Sequence, residues 1–328
     1  MKKLLLLVFF ASLMGFALPL GAQDNHLAAV TEDDDSNMPD RSVVFAQYDD
    51  QVLGMDVYMP DDNSAAHPCM IFTYGGGFKM NTQRNPATRR FCRRLADDLG
   101  IVVLAIDYRL GLKDNHATGK LSMAKPLKNA IDMGTEDLFK ALKCVLDNAF
   151  SMRINPARIF LCGSSAGAMI SLQADFELCN RTEMTTLIPD DFRFAGVISF
   201  AGALFSTSGR PSYVIHSPAP TFLLHGDADK LVPYDKIAVL KYWIAGSNTL
   251  AKIFDSNGYV YRIKRYKGLG HSVAMRLEDD YDDVVEFIRS SILGGEKVCY
   301  DETVKMLEIP VETAKIDRVD LNYLYNEM

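Results

Sequence analysis

Residues 154–167 read Ile-Asn-Pro-Ala-Arg-Ile-Phe-Leu-Cys-Gly-Ser-Ser-Ala-Gly, and the last five, Gly163-Ser164-Ser165-Ala166-Gly167, decide how the rest of the chain is read. The apolar run Arg158–Cys162 predicts a buried strand, and the pattern from Ser165 to Leu178 predicts a helix. Two serines sit between them, flanked by glycine and alanine. A strand-to-helix turn this short has room for little side chain. In Gly-x-Ser-x-Gly the middle serine is the exposed one, so Ser165 is the candidate nucleophile and Ser164 is not. The next amide, that of Ala166, opens the helix and faces any oxyanion forming beside Ser165, with the helix dipole adding to the attraction. The competing reading is a structural turn, which needs no partners elsewhere in the chain.

Outward from this turn, strands and helices alternate. Val43–Tyr48 and Leu53–Met59 alternate apolar and polar residues around Asp49-Asp50-Gln51, the pattern of an antiparallel hairpin. Cys69–Tyr74, Ile101–Asp107, Arg158–Cys162, Ala195–Phe200, Thr221–His225 and Tyr259–Tyr266 read as strands. Several are near-continuous apolar runs, as in strands covered on both faces. Helical patterns fall at Pro86–Leu99 (stopped by Gly100), Thr135–Phe150, Ser165–Leu178, Asp235–Ile244 and Leu277–Ile292. The alternation predicts an α/β chain with a mostly parallel, doubly wound sheet, an N-terminal antiparallel hairpin and helices on both faces. In such sheets ligands bind beyond the C-terminal strand ends.

A serine hydroxyl is a weak nucleophile without a base. Six histidines are available. His26 lies near the N-terminus, His67 precedes Pro68 before a strand, and His116 sits in a polar insert. His216 lies in a Pro-rich loop and His225 ends a strand. His271 follows the last predicted strand in a Gly-rich loop, Gly268-Leu269-Gly270-His271-Ser272, and is the candidate base. The base needs an acid to orient it. Asp229 lies just past the strand Thr221–His225, with Val232-Pro233 close behind. Asp227 is the local rival and could serve instead as a turn-forming Asx residue. The chain order is then Ser165, Asp229, His271. The strand Cys69–Tyr74 runs into Gly75-Gly76-Gly77-Phe78, whose glycines expose amides without side-chain obstruction. A dinucleotide loop would need Gly-x-Gly-x-x-Gly opening a helix, which this stretch lacks.

Six stretches together carry a family resemblance: Tyr74–Phe78, Asp107–Gly111, Asn155–Ile159, Gly163–Gly167, His225–Pro233 and Gly268–Ser272. Over about residues 43 to 292 the chain resembles the carboxylesterase branch of the α/β-hydrolases, most of all the secreted bacterial acetylxylan and feruloyl esterases. The resemblance implies an α/β-hydrolase fold, with Ser165 as nucleophile, Asp229 as acid and His271 as base. It also implies an oxyanion hole from Gly76, Gly77 and the amide of Ala166, with no cofactor and no metal. The family has His where this chain has Tyr74, a residue that shapes the loop rather than doing the chemistry.

The ends of the chain bear on where it works. Met1-Lys2-Lys3, an apolar run from Leu4 to about Leu18 and a small-residue close at Ala22 predict a signal peptide over 1–22. The run is short for a membrane span, which needs about 20 apolar residues. Residues 23–42 read as an acidic leader, 43–293 as the catalytic domain, and 294–328 as an extension without an assignable pattern. Removing Lys2 and Lys3 leaves 33 basic against 42 acidic residues, a net charge of −9. That argues against nucleic acid and against anionic membrane surfaces. Six cysteines show no paired short spacing, and neither Cys-x-x-Cys nor His-Glu-x-x-His occurs.

The expected protein is a periplasmic or secreted serine ester hydrolase taking a small-molecule or oligosaccharide ester, with no stable membrane insertion after signal cleavage. A prolyl-peptidase-like hydrolase is the enzyme alternative, and a non-catalytic binding protein on a hydrolase fold is the other. The insert Gly111–Ala130, polar and lysine-rich, is expected over the mouth of the site, with Phe78 or Phe205 available to stack on a phenolic acyl group.

Overall fold

The computed structural model describes residues 35–62, 66–80, 85–115 and 120–305. The expected signal peptide and most of the expected leader lie outside them. β1 (Arg41–Gln47) and β2 (Val52–Tyr58) form the antiparallel hairpin, with a bulge between Val44 and Ala46. β3 (His67–Thr73), β4 (Val102–Ile106), β5 (Ile154–Ser164), β6 (Val197–Phe200), β8 (Thr221–Gly226) and β11 (Tyr261–Lys267) are mutually parallel. With β12 (Tyr300–Lys305) they make a nine-stranded sheet in the order β1-β2-β4-β3-β5-β6-β8-β11-β12. Every residue of β4, β6 and β8 is buried, which explains their near-continuous apolar runs.

The strand order reverses between β3 and β5. The chain leaves β3 toward β4 on one side and leaves β5 toward β6 on the other. The loops after these two strands therefore diverge and open a crevice at their C-terminal ends. The glycine loop follows β3 and the Gly163–Gly167 turn ends β5.

Four of the helices group in two pairs. α1 (Pro86–Leu99) meets α5 (Tyr281–Phe287) through Phe91 edge-on to Tyr281, and α2 (Lys120–Asp147) packs on α3 (Ala166–Asn180). α1 has the limits its sequence predicts. The Asn85 side chain caps the Thr88 amide at 2.8 Å, Pro86 takes the first helical position, and Gly100 closes the helix at φ 61°.

Three expectations are corrected, and one stretch without an assignable sequence pattern gains an element. Asp235–Ile244 is not a helix but the hairpin β9 (Lys236–Val239) and β10 (Tyr242–Gly246). These strands join β7 (Ala203–Ser206) in a separate antiparallel sheet, and the helix here, α4, is Ser247–Asn257. Ile237, Val239, Tyr242 and Ile244 are β-branched or aromatic, and β7 supplies the pairing that decides for strand. Second, α2 begins at Lys120 rather than at the expected Thr135, so the second half of the expected insert, residues 120–130, is the start of a 28-residue helix that carries Pro126 inside it. Third, the stretch after residue 293 supplies β12, parallel to β11 and held by Arg265, which pairs with both oxygens of Asp301 at 2.7 and 2.9 Å. Fourth, Phe78 and Phe205 are only 2% and 5% exposed, so neither is available to stack on a substrate ring. The six cysteines are unpaired, four of them buried.

α3, which carries the turn's C-terminal side, is itself buried along most of its length. Asp175 lies in it, accepting from the Ala219 amide at 3.2 Å and the Cys179 thiol at 3.8 Å. Burial pushes its carboxyl up to about 7, against those hydrogen bonds and the Arg193 charge. The folded value lies above that of an unfolded Asp, about 3.9. Stability is therefore full below about pH 4 and is lost as pH rises through about 7. Asp175→Asn is expected to raise stability at pH 8 by on the order of 3 kcal/mol and to change little at pH 4, read from urea unfolding.

Candidate active site

Ser165 sits at φ 50° and ψ −117°, backbone space that a residue with a Cβ rarely enters. Close packing imposes it. A Cβ on Gly167 would lie 2.1 Å from the Thr73 carbonyl oxygen, and one on Gly163 would lie 2.4 Å from the Gly167 oxygen. The start of α3 is thus pressed onto the end of β3, and only glycine fits at either position. The Ser165 amide donates to the Phe200 carbonyl at 2.8 Å, and Thr73 Oγ1 donates to the Gly167 oxygen at 2.8 Å. The chain has no freedom to relax the turn.

His271 opens a single 3₁₀ turn, His271–Met275, after the loop that leaves β11. Its Nε2 lies 2.7 Å from Ser165 Oγ, and its Nδ1 lies 2.7 Å from Asp229 Oδ2. An ionised carboxylate only accepts, so Nδ1 carries the proton and Nε2 accepts from the serine hydroxyl. The Asp229 side chain is fully buried. Its Oδ1 accepts the Leu231 and Val232 amides at 2.8 and 3.0 Å. Burial disfavours its charge, but hydrogen bonds and charge from His225 and His271 outweigh that and hold the carboxyl well below the usual range. The rival Asp227 accepts the Gly268 amide at 2.6 Å, tying the turn after β8 to the loop that carries His271.

The structure therefore brings Ser165, His271 and Asp229 into one hydrogen-bonded row. His67 faces the Gly100 carbonyl and His216 faces Arg193, away from this row. His26 and His116 lie outside the described residues. His225 is the residue the sequence reading passed over. It touches the same Asp229 oxygen as His271, at 3.1 Å. Its one sequence signal is its place four residues before Asp229, just ahead of the turn.

The glycine loop lies beside Ser165. A Cβ on Gly75 would come within 3.3 Å of Ser165 Cβ. Gly76 and Gly77 follow at positive φ, 129° and 61°, and the Gly76 carbonyl accepts the Lys79 and Met80 amides at 2.9 and 3.0 Å. Tyr74 is buried and stacks on Tyr108 with ring centroids 4.5 Å apart, while the Tyr108 hydroxyl donates to the Tyr74 carbonyl at 3.0 Å. The Leu112 amide donates to the Phe78 carbonyl at 3.0 Å, so the start of the insert braces the glycine loop. Ala166 is the first residue of α3, so its N–H is among those a helix leaves unsatisfied at its start. The concave surfaces lined by Lys143, Asp147 and residues 186–190 and by Asp282, Arg289 and Glu296 carry none of these side chains. Among the described residues no group of His, Cys, Asp and Glu converges as a metal site.

The fold, with the Gly163–Gly167 turn at the end of β5, the Asp229 loop after β8 and the His271 loop after β11, is that of the α/β-hydrolase esterases. The chain belongs to the Phospholipase/Carboxylesterase family, whose profile matches residues 120–292, and the Carboxylesterase family profile matches residues 20–176. It is similar to a probable isoprenylcysteine alpha-carbonyl methylesterase of Oryza sativa subsp. japonica, 34% identical over 131 residues. That match covers 40% of this chain and 26% of the relative, so the chain spans about a quarter of the relative's length. Among solved structures it resembles a thermophilic esterase from the Planctomycetes species Thermogutta terrifontis, with TM-score 0.54 and 18% identity over 76% of this chain and 91% of that one. It also resembles a truncated carbohydrate esterase from gut microbiota, with TM-score 0.55 and 16% identity over 78% of this chain and 98% of that one.

The backbone strain at Ser165 generates a stability prediction. Ser165→Gly relieves the positive-φ penalty and Ser165→Ala does not. Glycine at this position is expected to be more stable than alanine by about 1–2 kcal/mol, read as a higher melting temperature. Equal stabilities would mean that the turn is unstrained.

Proposed function

We propose that the chain is an exported serine ester hydrolase that works through Ser165, His271 and Asp229 and takes small acyl esters of carbohydrate. The observation that carries this is the row Ser165 Oγ–His271 Nε2 and His271 Nδ1–Asp229 Oδ2, both 2.7 Å, with the serine on a strained turn beside three glycines. Ser165 Oγ attacks the ester carbonyl carbon as His271 Nε2 takes its proton. The carbonyl oxygen becomes an oxyanion, met by the amides of Gly76, Gly77 and Ala166. His271 gives the proton to the departing alcohol, leaving an acyl-serine. Water, deprotonated by His271, then attacks the acyl carbon, and the proton returns to Ser165 as the acid leaves. Asp229 stays ionised throughout and offsets the charge on the imidazolium. No cofactor enters these steps.

The substrate reading draws on several features. The similarity to a carbohydrate esterase of gut microbiota favours a sugar ester. The segment after Asp107–Gly111 lacks the broad apolar face that a lipid-docking lid needs, and from Lys120 it carries lysines and Pro126 within α2. The buried state of Phe78 and Phe205 favours acetyl over a phenolic acyl group. Export rests on the basic, apolar and small-residue pattern of Met1–Ala22, and the net negative charge suits an uncharged polymer.

Stoichiometric labelling with a fluorophosphonate is expected on Ser165, and Ser165→Ala should lose about 10⁶-fold in turnover, with Ser164→Ala far milder. Asp229→Asn should lose about 10⁴-fold and Asp227→Asn should stay near wild type. The reverse order would move the acid to Asp227. For the substrate, nitrophenyl esters of increasing chain length are compared with acetylated xylan and methyl ferulate. Rates highest at acetate with release from xylan are expected. Rates climbing with chain length, and no release from a sugar ester, would make the enzyme a lipase.

A further inference from the structure

His225 is the last-but-one residue of β8 and is fully buried, and no step of the reaction above uses it. Its Nε2 faces two acceptors, Asp229 Oδ2 at 3.1 Å and the Val232 carbonyl at 3.3 Å. A ring nitrogen between two acceptors carries the proton. Nδ1 then has a free lone pair, and it lies 2.8 Å from Ser247 Oγ. Ser247, the first residue of α4 and itself buried, donates its hydroxyl proton there at 2.8 Å in preference to the Gly202 carbonyl at 3.5 Å, and so favours this tautomer. Tyr234 packs edge-on against the ring, with centroids 5.6 Å apart.

Asp229 thus receives four donors. Two backbone amides meet Oδ1 and two imidazole N–H groups meet Oδ2. A carboxylate has about four lone-pair sites, so the group is saturated. The amides come from the residue's own turn and hold one oxygen. The other oxygen must be aimed at His271, and among the described residues His225 is the only other side chain hydrogen-bonded to it. Sharing Oδ2 also withdraws charge from it, which keeps the His271 proton on Nδ1 rather than on the carboxylate.

We infer that His225 is a positioning residue of the triad: its Nε2–H aims Asp229 Oδ2 at His271, and the Ser247 hydroxyl holds His225 in the tautomer that does so. This rests on the triad reading above. It extends that row from three residues to five, through the acid and into the start of α4.

The test measures kcat and KM on nitrophenyl acetate for His225→Leu, His225→Gln, Ser247→Ala and Asp229→Asn, each counted per folded molecule. His225→Leu removes the donor and is expected to lower kcat about 10- to 100-fold, the scale seen when an outer-shell partner of a working group is lost. KM should stay within about threefold, because ground-state binding is untouched. His225→Gln restores an N–H and should recover much of the loss. Ser247→Ala touches neither Asp229 nor His271, yet it should lower kcat because the wrong tautomer turns a lone pair toward the carboxylate. It should also shift the downfield proton resonance of the His271 Nδ1–H, which a merely structural serine would leave in place. Wild-type kcat in His225→Leu, with Asp229→Asn inactive, would overturn the inference and leave the triad standing. Should His225→Leu not fold, wild-type kcat and an unmoved resonance in Ser247→Ala would overturn it instead. An active Asp229→Asn would remove the triad reading itself.

Discussion

The contact between the start of α3 and the end of β3 is the constraint on which the rest depends. A Cβ on Gly167 would fall 2.1 Å from the Thr73 carbonyl oxygen and 2.5 Å from that of Tyr74. This closeness forces Ser165 to a positive φ, aims its side chain out of the sheet and sets the glycine loop beside it. Strain of this kind costs roughly 1–3 kcal/mol and persists only where the surroundings over-determine it. Here they do. β3, β5 and β6 are packed in the core, and the Ser165 amide is fixed to the Phe200 carbonyl.

Parallel pairing assembles the remainder. β5, β8 and β11 run the same way, so the loops that leave them emerge at one edge of the sheet although Ser165 and His271 are 106 residues apart. β6 lies between β5 and β8 and spaces Ser165 from Asp229. The Asp229 and His271 loops are then tied to each other, by Asp227 to the Gly268 amide and by the Ala228 amide to the Leu269 carbonyl at 2.9 Å. Asp227 is therefore a brace for the His271 loop, which gives this second aspartate a physical role of its own.

The small antiparallel sheet and the C-terminal strand support the same region from outside. The segment between Asp229 and β9 carries Tyr234, which faces both the His225 ring and Arg265 of β11. Arg265 also reaches Asn248 of α4 at 2.7 Å and Asp301 of β12. One guanidinium thus links the Asp229 loop, α4 and the edge strand through its planar set of donors. The additional strand is connected to the site through this residue.

What the sequence determined by itself was the part governed by short-range sterics and periodicity. Glycine at 163 and 167 around a serine specifies a sharp turn wherever it occurs between a strand and a helix. Asn85, Pro86 and Gly100 set the limits of α1 because capping is local chemistry. The near-continuous apolar runs specified the central strands, and the order Ser165, Asp229, His271 was readable because each lies just past a predicted strand. Tertiary structure alone decided the rest. Lys236–Ile244 became a hairpin because β7, about thirty residues earlier, offers its edge, a partner that no local pattern announces. β12 likewise exists through pairing with β11, and Phe78 and Phe205 are buried by neighbours distant in sequence. His225 had the plainest disguise: a histidine at a strand end looks bland until the turn at 226–229 folds Asp229 back onto it. Sequence fixes which groups a residue carries, but which acceptor two distant histidines share is settled only when the folded chain brings them to the same oxygen.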